Sequence, residues 1–398
     1  MALPEIANSL SCWIVQQLKP EIVLRRREIK EIRKVAMIAP YLTNIKHPPT
    51  LMALQQAENL RQIGYEVDMY SAQEMRGPDF EHYLGCHSSP SEPQFVTAGW
   101  GQFLGQGARV NTGDMRFSLL QRWRSLLGQM ALSDPDLVMF VGLYSGLAAA
   151  VFPMRPLLSL GINSVSPMLP ADVWLTAQPE LDARLASQWT KAFPESQAYY
   201  HSYRVRRPHL DREYSRSILG LDEGCLLWVT LVSESESRIS GEWAHAMLTL
   251  LNKHAHVHWL IVGGNGAVPS ALHTARAEQV RCIAFCADAV KYLTVSDIYV
   301  NPPMMGGGFA VAESMALGIP ALSLSGSDGG DKLGKYAQPD MRTYFQTLQS
   351  WMQHPEQRKS TGLLMQQHFN DHLDLAKAPS GLKVACELAV ERYAMRKA

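Results

Sequence analysis

Three consecutive glycines, Gly306, Gly307 and Gly308, interrupt the segment DIYVNPPMMGGGFAVAESMALGIP that runs from Asp297 to Pro320. An apolar run reaches Pro302–Pro303, which cannot continue a hydrogen-bonded ladder. The glycines let the backbone turn tightly and approach a bound molecule without a Cβ in the way. A helix is expected to begin at once, near Phe309. Its free N–H groups and positive dipole end would face whatever occupies the turn. Such a turn suits a diphosphate. Glu313 follows within the helix, where a carboxylate can accept two hydrogen bonds from the hydroxyls of a ribose. A strand-to-helix turn of purely structural use, with Glu313 as a helix-start charge, is the plain alternative.

Elements of a definite kind must hold that turn. Residues 34–40 (KVAMIAP) read as a buried strand. After the loop YLTNIKHPPT, Thr50 can cap a helix that begins at Leu51. Leu51, Leu54, Ala57, Leu60 and Ile63 recur there at near-helical spacing, and Gly64 ends the pattern. Residues 65–71 (YEVDMYS) read as a second strand, which completes a βαβ unit with a parallel sheet. Residues 72–130 are rich in Gly, Ser, Pro and Gln and predict a flexible loop. The G-x-G in GWGQFLGQG (99–107) has no strand leading into it. The pattern resumes with strands at 135–142, 163–166 and 172–176 and a small-residue helix from Ser145 to Phe152. The polar, basic stretch 195–215, with Arg204, Arg206, Arg207 and Pro208, reads as a linker.

A second alternating series begins at 226–232. Ser240 is placed to cap a helix that turns Trp243, Met247, Leu250 and Leu251 inward. Strands follow at 257–264, 280–285, 297–303 and 320–326; the remainder is mostly helical, ending in an amphipathic segment from Ser380 to Arg396. The fold class is therefore α/β, with two Rossmann-like domains. The domains are expected at 1–210 and 211–375, with a terminal helix in 376–398 that packs back on the first.

The Asp297–Pro320 segment resembles the donor-site signature of nucleotide-sugar glycosyltransferases with the two-domain GT-B fold. The elements that carry the resemblance are Asn301–Pro302–Pro303, Gly306–Gly307–Gly308, Glu313 and Ala316–Leu317–Gly318–Ile319–Pro320. The wording is most similar to bacterial glycosyltransferases with N-P-P-x-x-G-G-G followed by Thr or Phe, related to the protein O-GlcNAc transferase group. The close match covers this segment alone. Retaining members often carry a second glutamate ahead of this one; Met305 stands in its place, which favours an inverting or divergent enzyme.

The resemblance implies two domains facing a central cleft and metal-independent transfer of a sugar. A UDP-sugar would be the co-substrate, with no other cofactor, and a glycan, lipid-linked or protein acceptor would receive the sugar. It places Gly306, Gly307, Gly308 and Phe309 at the diphosphate and Glu313 at the ribose. Lys332 or Lys335, in SGSDGGDKLGK (325–335), and Arg238, at the end of VSESESR (232–238), are candidates to neutralise the leaving diphosphate. Gly263, in GGNG (263–266), would line the nucleoside pocket, and Phe285 would contact the base. The first domain would supply the catalytic base. His47 is the first choice, since an imidazole titrates near neutrality, with Asp114 and Asp172 behind it. Tyr144 and Ser145 would line the acceptor side, and 72–130 would help select the acceptor. Solvated turns are the plain alternative for the lysines and Arg238, and an idle loop histidine for His47. A nucleotide-sugar epimerase or phosphorylase on the same fold, and a non-catalytic transferase-like partner subunit, are the competing readings.

Composition narrows the field. Lys+Arg and Asp+Glu balance at 37 each, so no global positive field recommends a nucleic-acid binder. The cysteines Cys12, Cys86, Cys225, Cys282, Cys286 and Cys386 are scattered without a C-x-x-C pair, as expected for reduced thiols in a cytoplasmic protein. No stretch is long and apolar enough for a membrane span, and the first residues do not read as a signal peptide. The basic run 24–34 (LRRREIKEIRK) predicts a solvated helix, or a patch that touches anionic lipid at the inner face of the membrane.

Overall fold

The structure is a computed structural model and describes residues 3–18, 24–45, 47–74, 99–162, 167–179, 183–303 and 306–396. The chain forms two compact units, Met1–Ser202 with Lys377–Ala398, and Tyr203–Ala376.

The first unit is built on seven parallel strands: β1 (Lys34–Ile38), β2 (Glu66–Ser71), β3 (Val110–Thr112), β4 (Leu137–Val141), β5 (Leu157–Leu160), β6 (Val173–Thr176) and β7 (Gln197–Tyr200). Their order is β3-β2-β1-β4-β5-β6-β7. Every residue of β4 is buried, which is why the central strands read as continuous apolar runs. Edge strand β7 is mostly exposed and carries no such run, so its segment was expected to be linker. The expected strand at 163–166 lies outside the described residues.

Three other expectations need correction in this unit. The helix after β1 is Pro48–Gln62, and His47, not Thr50, is its N-cap residue. Proline's fixed φ suits the first helical turn, so Pro48–Pro49 open the helix. Residues 119–133, expected to be irregular, form a helix closed by a capping box between Ser118 and Gln121. The basic run is not helical. Arg26 instead donates to the carbonyls of Pro153, Tyr393 and Arg396, and Arg27 pairs with Asp134 and Asp136.

The terminal helix Ala378–Met395 belongs to this unit. The Tyr393 hydroxyl lies 2.8 Å from the Met154 carbonyl oxygen. Arg396 stacks 3.7 Å over Phe152 and pairs at 2.8 Å with the fully buried Asp172. Among the described residues no helix is long and apolar enough to cross a membrane.

The second unit holds β8 (Leu226–Val232), β9 (Val257–Gly263), β10 (Val280–Ile283), β11 (Ile298–Val300) and β12 (Ala321–Leu322), parallel and ordered β10-β9-β8-β11-β12. Trp228, Trp243 and Trp259 meet edge to face in its core, and Tyr344 packs against Trp243. Ser240 precedes the helix Gly241–Lys253 as expected, but its hydroxyl donates to the Ser237 carbonyl instead of capping that helix. In each unit the strand order reverses once, between β1 and β4 and between β8 and β11. The loops leaving the carboxyl ends of those strands open the crevice where ligands bind on such sheets.

Candidate functional site

In the second unit those loops follow β8 and β11. Asn301, just past β11, is fully buried. Its side-chain amide donates to Ser323 Oγ at 3.0 Å, and its backbone carbonyl accepts from the Tyr344 hydroxyl at 3.2 Å. This anchored asparagine dictates the glycines beyond it. Gly307 sits at φ +92°, and a Cβ there would overlap Asn301 Oδ1. A Cβ on Gly308 would press on Asp328, whereas Gly306 faces open space. The helix Gly308–Ala316 starts with Gly307 as N-cap, which offers no side-chain oxygen to the first-turn N–H groups. Phe309 stands half-buried in that first turn.

Glu313 lies in the same helix. It is largely buried, and no described residue gives its carboxylate a hydrogen bond or an ion pair. Burial alone pushes it up to about 7. Lys332 comes from the helix Asp328–Leu333 that packs on this one. Burial, then the nearby Arg204 guanidinium, holds its ammonium down to about 8. Arg204 is itself 3% exposed and pulled down to about 10 by burial, with Asp331 opposing. Of the two lysine candidates, Lys332 is the one drawn into this cluster. Lys335 is exposed, with its ammonium 5.3 Å from the centre of the Tyr336 ring.

The other candidates of this unit stand at the carboxyl ends of neighbouring strands. Arg238 ends the short helix after β8, exposed and without an ion pair among the described residues. Gly263, at φ +132°, allows β9 to run against the Val232 carbonyl, which a Cβ would overlap. Its lack of a side chain is therefore demanded by the sheet itself. Phe285 follows β10; its N–H donates to Gly264 O at 3.1 Å and its ring is 59% exposed.

In the first unit His47 follows β1. Its Nδ1 is 2.8 Å from Thr50 Oγ1, and its ring meets Tyr41 edge to face at 5.6 Å. The tautomer with the proton on Nδ1 leaves Nε2 as the basic nitrogen. The two aspartates are not equipped for that role. Asp114 is a half-buried carboxylate held by Arg116 down to about 2, too weak a base. Asp172 is raised to about 7 by burial, but it sits ahead of β6, at the amino end of the sheet, locked to Arg396 and the Leu157 N–H.

Ser145 caps the helix Gly146–Val151 and is fully buried. Its hydroxyl donates at 2.8 Å to Glu74, which also accepts from Trp123 Nε1 and the N–H groups of Gly146 and Leu147. With four donors around it, Glu74 organises this corner of the first unit. Tyr144 is half-buried beside Ser11, under the helix Leu3–Leu18. Ser145 and Tyr144 thus serve the packing of this corner in the structure.

No protein-family model matches the chain, and no curated protein matches it. Solved structures do. An O-GlcNAc transferase mutant from Thermobaculum terrenum superposes with a TM-score of 0.63 at 11% identity, over 96% of this chain and 74% of that one. A glycosyltransferase from Rickettsia africae gives 0.59 at 9% identity, over 90% and 99%. A Listeria monocytogenes protein described as a UDP-N-acetylglucosamine 2-epimerase gives 0.56 at 11% identity, over 92% and 97%. The fold is GT-B. At these identities the likeness is one of fold.

On this GT-B chain the carboxyl edge of the second sheet collects an uncapped helix start, a carboxylate with no partner among the described residues, the buried Arg204 with the half-buried Lys332, and an exposed aromatic ring. These are the groups needed to hold a phosphorylated nucleoside. Sequence reasoning missed Arg204, whose basic surroundings read as linker, and Glu74, whose neighbours form no motif. The anchoring of Asn301 by Ser323 and Tyr344 also escaped it, because both lie far along the chain.

Proposed function

We propose that the protein transfers a sugar from a nucleoside-diphosphate donor of the UDP-sugar class to an acceptor hydroxyl, with inversion and without a metal. The observation that carries this reading is Glu313. A largely buried carboxylate with no partner among the described residues is costly, and two ribose hydroxyls would supply the missing donors. The N–H groups after Gly307 and the charges of Lys332 and Arg204 would receive the diphosphate, and Arg238 and Phe285 would complete the nucleotide's surroundings. His47 would take the acceptor proton as the hydroxyl oxygen attacks the anomeric carbon, while the diphosphate leaves with the electrons of the broken C–O bond. Of the basic run, Arg25, Lys30 and Arg33 stay exposed; Arg33 pairs with Glu31, and Arg25 and Lys30 are the residues that would touch anionic lipid.

A second reading, a nucleotide-sugar epimerase, is favoured by the likeness to the Listeria protein over nearly the whole of both chains. It would use the same donor site and no acceptor. Incubation with UDP-sugars, followed by NMR, separates the two. Free UDP that is lost in Glu313→Ala supports transfer. A new UDP-sugar epimer without UDP release supports epimerisation. Neither product from any donor sinks both and leaves a non-catalytic subunit.

A further inference from the structure

The opposite edge of the second sheet holds three side chains that the donor reading does not use. The carboxylate of Asp222, the thiol of Cys225 and the imidazole of His258 bring an oxygen, a sulfur and a nitrogen within 4.8 Å of one another. The sheet dictates this meeting. Leu226 pairs with Val257 and Leu227 with His258, so Cys225 and His258 stand at the amino ends of adjacent parallel strands. Asp222 is fixed by the turn before β8, where its Oδ1 accepts from the Gly224 N–H at 2.9 Å. The Cys225 thiol lies 3.3 Å from the Asp222 carbonyl oxygen. A cavity of about 180 Å³ opens on all three residues and on Glu278. The His258 ring, partly buried, has no hydrogen bond or ion pair with any described residue.

One carboxylate, one thiolate and one imidazole make a borderline-soft donor set that suits tetrahedral Zn²⁺. Cations stand nearby but are engaged elsewhere: Arg216 pairs with Asp297 at 2.7 Å, and Arg281 donates to the Gly220 carbonyl. We propose that Asp222, Cys225 and His258 form a zinc-class divalent-cation site that ties the turn before β8 to β9, with Glu278 or a water as fourth ligand. Binding replaces the thiol proton by the metal; the S–H bond breaks, a sulfur–metal bond forms, and the proton goes to solvent. The site lies at the amino edge of the strands, away from the loops that follow β8 and β11, so its role is structural.

Cobalt(II) reports on it directly, because a cobalt–thiolate bond gives a charge-transfer band in the near ultraviolet. The full chain, stripped with a chelator, is titrated with Co²⁺ and separately with Zn²⁺. The expected result is one saturable band per chain and a raised thermal midpoint with zinc. Cys225→Ser should abolish the band. His258→Ala and Asp222→Asn should each weaken binding at least about tenfold, since even outer partners of such sites count for that much. Asp222 is exposed, so its variant tests the site without touching the core. A band that survives Cys225→Ser would come from another thiol, such as Cys282 or Cys286, and would overturn the assignment. So would the absence of any band and of any zinc-induced shift in the wild type.

Discussion

Glu313 ties a charge to a conformation. Its carboxyl rises from the ordinary 4.5 to about 7 on folding. The folded state therefore binds that proton more tightly than the unfolded state. The stability this contributes is full below about pH 4.5 and is lost as pH rises through 7. Glu313→Gln, which mimics the protonated form, should leave the melting temperature nearly unchanged at pH 4, below the ordinary value. At pH 8 it should stabilise the free protein by about 1–3 kcal/mol. A variant no more stable than wild type at pH 8 would mean that the carboxylate already has a partner. Donor binding should run the other way. The ionised form is the better acceptor for ribose hydroxyls, so UDP-sugar affinity should rise between pH 5 and pH 7 in wild type, below the range where Lys332 loses its proton, and stay flat there in the variant. At this scale the sequence was readable where chemistry demanded a run of one residue type, as in Gly306–Gly307–Gly308. It was unreadable where distant residues combine, as Arg204 does with Lys332.

The same contrast holds for the elements. β1, β4, β8 and β9 announce themselves because burial on both faces leaves continuous apolar runs. Short β3 and exposed β7 do not. The helix Leu119–Ser133 has a capping box in its sequence, but the Gly- and Pro-rich residues before it concealed the pattern. The closing turn of the terminal helix depends on Arg396, whose guanidinium neutralises a fully buried Asp172 and covers Phe152. Arg396→Met should cost about 3–5 kcal/mol in denaturant unfolding, since it leaves a buried carboxylate unpaired. A loss well under about 1 kcal/mol would show that Asp172 is held by the Leu157 N–H alone, on the scale of a single hydrogen bond. Gly263→Ala should destabilise by about 2 kcal/mol or more, because φ is positive and the new methyl overlaps the Val232 carbonyl oxygen. Equal stability in urea would show that β9 can shift to make room.

For the whole molecule the alternation of strand and helix was enough to predict two Rossmann-like sheets, and solved GT-B structures superpose over nearly the full chain. If the first unit supplies the base and the second holds the donor, His47→Ala should leave nucleotide affinity unchanged and lower turnover about 10²–10⁴-fold. Thr50→Val, which removes the hydroxyl beside His47 Nδ1, should lower turnover less than His47→Ala does. Full turnover in His47→Ala would remove it as the base.

The donor site itself is tested most directly by calorimetric titration of the full chain with uridine, guanosine, thymidine and adenosine diphosphates, in wild type and in Glu313→Ala. One of them is expected to bind, and the variant to bind it more weakly by about 1.5–3 kcal/mol, the scale of hydrogen bonds to a charged group. Equal affinity in the two proteins, or no binding of any nucleotide to the wild type, would contradict the donor-site assignment.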